Sequence, residues 1–161
     1  MIIYKNPKGF TLIEAIAVLI IVGILSAVII SRITSTSDVS IKAQAEAMKS
    51  HIRYVQMRAM NMTSFDPTNC AASFGMVISG NSYSMFRDCN TSSKVVLPGA
   101  NSSSGVTLLD GMTVNTATPA FSFDNWGRPY PNANGTGTSL NISLSLSGEP
   151  ITVIKNTGYV P

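Results

Sequence analysis

The chain has 161 residues, room for one modest domain plus an anchor, and its mean hydropathy of +0.24 with 12% charged residues leans toward membrane association. The formal charge is +3, and Lys5 and Lys8 near the N-terminus account for two of those charges, so the remainder is close to neutral and bulk charge argues against a polyanion-binding surface. A lone histidine, His51, with no phosphate-cradling glycine loop and no metal-ligand cluster excludes the common catalytic constellations, so the expectation is a non-enzyme that needs no cofactor.

The first element is a short basic flank, "MIIYKNPKG", followed by the apolar run "FTLIEAIAVLIIVGILSAVII" over residues 10–30. At ~1.5 Å rise per residue a helix of this length covers about 30 Å, the hydrocarbon thickness of a bilayer. Lysines before the run and no acid there hold the N-terminus in the cytoplasm and send the rest outward, in a single pass. No small-residue signal cleavage site follows the run, so it is expected to be retained. One ionisable residue, Glu14, interrupts it. A carboxylate at bilayer depth costs about 2.5 to 3.5 kcal/mol on insertion scales and is normally paired or functional.

Residues 31–62 continue as an amphipathic helix. Ile41, Ala45, Met48, Ile52, Val55, Ala59 and Met62 recur every three or four positions, and Lys42, Glu46, Lys49, Arg53 and Gln56 occupy the opposite side, with Lys42 and Glu46 spaced to pair. The stripe fits a helix lying on a sheet better than a coiled-coil seam, because the flanking charges carry no pairing code. Neither proline nor glycine interrupts 31–38, so one helix is expected over about 10–62. His51 sits on the polar side and reads as a solvated residue.

Residues 63–161 change character to Ser, Thr, Asn and Gly with short apolar runs of strand length. "GMVIS" and "YSMFR" flank Gly80-Asn81, and "VTLL" and "MTV" flank Asp110-Gly111, two expected hairpins. "LNISLSLS" alternates strictly and turns at Ser147-Gly148 into "ITVI". The expected fold is α+β: a long N-terminal helix, with a membrane-spanning half and an amphipathic half, packed on a C-terminal antiparallel sheet of five to seven strands. "FSFDNWGRP" reads as a turn with Trp126 packed beneath it. Cys70 and Cys89, both in this region, suit one disulfide in an oxidising compartment better than a metal site; two free thiols are the alternative.

The stretch from Lys8 to Ile30, with Gly9 before Phe10 and Thr-Leu-Ile-Glu ahead of an unbroken apolar run, resembles the prepilin signature shared by type IV pilins and the pseudopilins of type II secretion systems. The resemblance implies that 1–9 is a leader, that a prepilin peptidase cuts between Gly9 and Phe10 and methylates the new Phe10 amine, and that Glu14 faces the N-terminal amine of a neighbouring subunit during assembly. It further implies residues 10–30 as transmembrane and filament-core helix, 31–62 as amphipathic helix and 63–161 as a periplasmic or exterior domain. The implied setting is the bacterial inner membrane and then the filament. The implied partners are the peptidase, other pilin or pseudopilin subunits and an inner-membrane assembly platform; nucleic acid is not among them.

"FSFDNWGRP" and the closing "TGYVP" are loosely similar to H-type minor pseudopilins and related minor pilins. Major pilins usually close a disulfide loop near the C-terminus, whereas Cys70 and Cys89 follow the helix, which favours a minor subunit. The proline that many pilins carry near the position of Ser31 is missing. Two alternatives stand beside this reading: a minor pilin whose exposed domain binds DNA or a surface, and a bitopic protein that never assembles.

Overall fold

The computed structural model describes residues 9, 11–62, 74–100, 102, 105–109 and 111–161, with helix side chains other than those of 28–36. One helix, α1 (Leu12–Met60), runs without interruption through the serine and threonine residues where a break was conceivable. The chain divides into two compact units between Ser40 and Ile41.

In the second unit the helical stripe is the floor of the core. Ala45, Met48, Ile52, Val55 and Ala59 are buried, and Ile41 and Met62 pack at its margins. Each large side chain so buried is worth ~1.5–3 kcal/mol, which is what holds this half of α1 to the strands. On the polar side, Glu46 pairs with Lys49 at 2.9 Å.

The strands form two antiparallel sheets rather than the single one expected. β1 (Phe74–Ser79), β2 (Ser82–Arg87), β3 (Asn90–Val95), β4 (Val106–Thr107), β6 (Ala120–Phe123) and β7 (Pro129–Tyr130) make the first, in the order β3-β2-β1-β6-β7 with β4 also pairing β2. β5 (Val114–Thr116), β8 (Ile142–Leu146) and β9 (Glu149–Val153) make the second, in the order β5-β8-β9. The Gly80-Asn81 and Ser147-Gly148 hairpins form as expected, with Ser79 opposite Ser82 and Leu146 opposite Glu149.

Asp110 of the expected Asp110-Gly111 hairpin lies outside the described residues; the Met112 amide donates to the Leu109 carbonyl at 3.0 Å across the turn, but among the described residues the strands on either side do not pair with each other, because their backbones are engaged elsewhere. The Leu108 amide donates to the Asn81 carbonyl at 2.8 Å and β4 pairs β2, whereas β5 pairs β8. The two sheets share one apolar core: Met76, Met85, Phe121 and Phe123 from the first meet Ile142, Leu144, Leu146, Ile151 and Val153 from the second above the stripe of α1. Leu140, which continues the alternating pattern of β8, lies outside the strand and is exposed. On β1, Gly75 is required by close approach, since a Cβ there would lie 2.3 Å from the Phe86 ring of β2.

His51 is not the solvated residue its sequence position suggested. Its Nδ1 lies 2.9 Å from the Tyr83 hydroxyl and its Nε2 lies 3.0 Å from the Pro98 carbonyl oxygen. A carbonyl only accepts, so Nε2 carries a proton and donates, and in the neutral ring Nδ1 accepts from Tyr83. Burial pushes the Tyr83 phenol up to about 12, which keeps it a donor. His51→Phe strands the buried Tyr83 hydroxyl and should destabilise the second unit by about 1–3 kcal/mol. The double variant with Tyr83→Phe should lose less than the sum, and a thermal-unfolding double-mutant cycle measures the coupling.

Candidate functional site

The apolar half of α1 begins at a cap. The Thr11 carbonyl accepts from the amides of Glu14 (3.1 Å) and Ala15 (3.3 Å), and the Thr11 hydroxyl lies 3.4 Å from the Glu14 amide. Thr-Leu-Ile-Glu is thus also the start of a capping box, Thr at the cap and Glu three residues on, a helix-start signal that was present in the sequence and went unused. Glu14 stands in the first turn, where a negative charge is favoured by the helix dipole.

From Leu12 and over the next turns, as far as Leu25, the large apolar side chains of the helix are exposed among the described residues, with Leu12 at 79% and Ile13 at 73%. Leu19, Ile20, Ile21 and Val22 are all among them, and four consecutive helical positions, each turned by about 100°, point to every side. An amphipathic helix hides its apolar stripe within its own domain, as the second half of α1 does. One that is apolar all round belongs in lipid or inside an assembly.

Among the described residues no helix is long and apolar enough to cross a membrane. The expected span, 10–30, begins at Phe10 and ends within 28–30, where backbone or side chains lie outside the described set. Gly9 is described and exposed, and a Cβ added there meets nothing within 4 Å. Among the described residues nothing therefore demands glycine at this position. Phe10, the expected cleavage and methylation partner of Gly9, lies outside the described residues, as does Cys70, so the Cys70–Cys89 bond remains an expectation of the sequence.

Residues 4–30 match the family model of the prokaryotic N-terminal methylation motif. This segment is a prepilin-type signature. No curated protein matches the chain, and no solved structure does. The matched segment contains Gly9, the acid of the first turn and the start of the exposed apolar surface after it. A signature of this type suggests a type IV pilin-like or pseudopilin subunit, and it is the signature itself that implies processing by a prepilin peptidase and assembly with other pilin subunits.

A second polar cluster, in the second unit, was missed by the sequence reading. Asp124 is 1% exposed, and its carboxylate organises the whole "DNWGRPY" turn. Oδ1 accepts from the amides of Trp126 (3.0 Å) and Arg128 (2.8 Å), while Oδ2 accepts from Arg128 Nε (2.7 Å) and the Tyr130 hydroxyl (3.3 Å). The hydrogen bond and charge of Asp124 raise the Arg128 pKa; burial, reinforced by the same charge, raises that of Tyr130. Trp126 is not packed beneath the turn: it is 73% exposed, and the buried group is the aspartate. An Asp followed by Gly and Arg within four residues was the available signal, since a short carboxylate readily accepts from amides just ahead of it.

The turn is fastened to α1. Gln56 Nε2 donates to the carbonyls of Gly127 (3.0 Å) and Thr157 (2.7 Å), and Arg53 donates to the Val160 carbonyl at 2.9 Å. This gives "TGYVP" its role: Gly158 has a positive φ of 64°, and a Cβ there would sit 2.1 Å from the Gly127 oxygen. The C-terminal segment is a clasp between helix and turn.

Proposed function

We propose that the protein is a minor prepilin-like structural subunit that enters a type II secretion pseudopilus or a type IV pilus through residues 10–30 after cleavage behind Gly9. The observation that carries this reading is the exposed helical surface from Leu12 to Leu25, apolar on every side and bearing one acid under the methylation motif. In the nascent state lipid covers that surface, with 10–30 as a single-pass anchor. In the filament, neighbouring helices replace the lipid. Glu14 then answers the Phe10 amine of an adjoining subunit, so that a misregistered helix leaves two charges buried alone. The second unit, clasped to α1 through Gln56 and Arg53, is carried on the exterior.

The role is structural rather than catalytic. Nucleic-acid capture finds little support in the second unit, where Arg87 lies 3.4 Å from Asp88 and Arg128 lies 2.7 Å from Asp124. Type II secretion and pilus assembly share the signature, and the early positions of Cys70 and Cys89 favour a minor subunit of either machine.

The test is processing. Gly9→Val places a β-branched side chain at the scissile bond, and among the described residues that Cβ meets nothing within 4 Å. In a host with an active prepilin peptidase, the variant is expected to keep its leader and to be absent from the sheared filament fraction. Wild type should begin at a methylated Phe10. Intact-mass measurement of membrane-purified protein reads both, and wild type beginning at Met1 under those conditions would refute the proposal.

A further inference from the structure

The face of the second unit around the Asp124 turn carries a groove of about 490 Å³ that the assembly role does not use. Its walls are two loops, each pinned by one side chain. Asp124 fixes the first by accepting from the amides of Trp126 and Arg128. Asn132 fixes the second, donating through Nδ2 to the Thr136 carbonyl at 2.8 Å and accepting the Thr136 amide at 3.2 Å. The Ser122 hydroxyl holds the Asn132 carbonyl at 2.8 Å. The walls are therefore set before any ligand arrives, which lowers the ordering cost of binding.

The lining combines one large aromatic with small polar groups: Trp126, 73% exposed, beside Asn125, Arg128, Tyr130 and Thr136. An indole so exposed gives up much of the burial that favours tryptophan, yet its loop is pinned by the Asp124 carboxylate. Its ring nitrogen makes no hydrogen bond among the described residues. Arg128 binds Asp124 through Nε, and its two Nη nitrogens have no bond among the described residues. The charges of Asp124 and Arg128 cancel, so the groove presents planar donors, an amide and a hydroxyl without net charge.

From this we infer that the Trp126 groove is a binding site for a neutral pyranose glycan, the indole stacking on the C–H face of a sugar ring while Asn125, Arg128 and Thr136 bond its hydroxyls. Polarised C–H groups meet the negative face of the indole, and vicinal hydroxyls match the spacing of an amide or guanidinium edge. A polyanion is disfavoured by the internal neutralisation of Arg128. The inference does not rest on the assembly reading, because every group lies within the second unit.

Trp126 is the sole tryptophan, so intrinsic fluorescence reports on this groove directly. The full chain, in a detergent without a sugar headgroup, is titrated with maltohexaose, cellohexaose and hexa-N-acetylchitohexaose up to about 10 mM, within the weak range expected of a single stacked ring. At least one should give a saturable change. Asn125→Ala and Thr136→Val, both at exposed positions, should each weaken it about tenfold with far-UV circular dichroism unchanged. Trp126→Ala, followed by ligand-observed saturation-transfer NMR, should abolish binding, and Trp126→Phe should restore part of it. Oligogalacturonate and oligo-dT are run alongside. No saturable response to any neutral probe, a response to the acidic probes alone, or binding that survives Trp126→Ala overturns the inference.

Discussion

Glu14→Leu is expected to insert, to be cut after Gly9 and to fold its second unit, yet to enter filaments at roughly a hundredth of the wild-type level or less. Insertion should improve, because the substitution removes a carboxylate that costs a few kcal/mol in lipid. Folding should be unaffected: Glu14 is exposed in the first unit, and the bonds at its position are made by its backbone amide to Thr11. The loss belongs to assembly, where the Phe10 amine of an adjoining subunit would enter an apolar core with no counter-charge, a one-partner deletion worth on the order of 3 to 5 kcal/mol. Glu14→Gln separates charge from shape, since it keeps the length and one acceptor; it should resemble Leu more than wild type. Glu14→Asp should fall between them because its arm is shorter. Each variant is co-expressed with the other assembly components, with cleavage read by intact mass and incorporation by cross-linking and shearing. Incorporation of Glu14→Leu at the wild-type level would remove Glu14 as the register device.

What the sequence disclosed depended on the range of the interaction. The stripe of α1 was legible residue by residue, because a period near 3.6 is a local consequence of one face meeting a core, and Ala45 through Ala59 are buried as the spacing required. The β1-β2 and β8-β9 hairpins were legible for the same reason, since two residues of turn chemistry determine which strands meet. The division into two sheets was not. "VTLL" and "MTV" have the pattern of a hairpin, and only the long-range bonds of Leu108 to Asn81 and of β5 to β8 direct them apart.

The site residues followed the same rule. The motif that holds Gly9, Phe10 and Glu14 is contiguous and could be recognised as a whole, whereas His51 and Gln56 have partners far along the chain, Tyr83 and Pro98 for the one, Gly127 and Thr157 for the other. Trp126, expected beneath the turn, lies on its surface. The structure buries the charged neighbour instead, since four donors converge on Asp124 and none is needed by the indole.

That convergence makes Asp124→Ala the substitution expected to damage the second unit most. The carboxylate satisfies two backbone amides, a guanidinium nitrogen and a phenol, all at a position that is 1% exposed. Removing it leaves the Trp126 and Arg128 amides and the Tyr130 hydroxyl competing for whatever water the groove admits, at about 1–3 kcal/mol for each that stays unsatisfied. The ion-pair share is smaller, because the Arg128 side chain is 44% exposed and water screens it. A total loss of about 3–5 kcal/mol is therefore expected, carried mainly by stranded amides and only secondarily by lost charge.

Asp124→Asn distinguishes those two causes. Its amide oxygen can still accept from the Trp126 and Arg128 amides, but its NH₂ meets the obligate donor Arg128 Nε, while the Tyr130 hydroxyl must turn to accept from it. It should lose about half as much as Ala. Arg128→Leu should lose least, because Asp124 then keeps three of its donors. Urea unfolding of the full chain in micelles, followed by far-UV circular dichroism and Trp126 fluorescence together, gives the order. If Arg128→Leu equals Asp124→Ala, charge pairing rather than amide satisfaction holds the turn. The ranking also bears on the groove, since the atoms that keep the turn closed are those that hold Trp126 at its rim, and a variant that loosens Asp124 should lose glycan binding in proportion to stability.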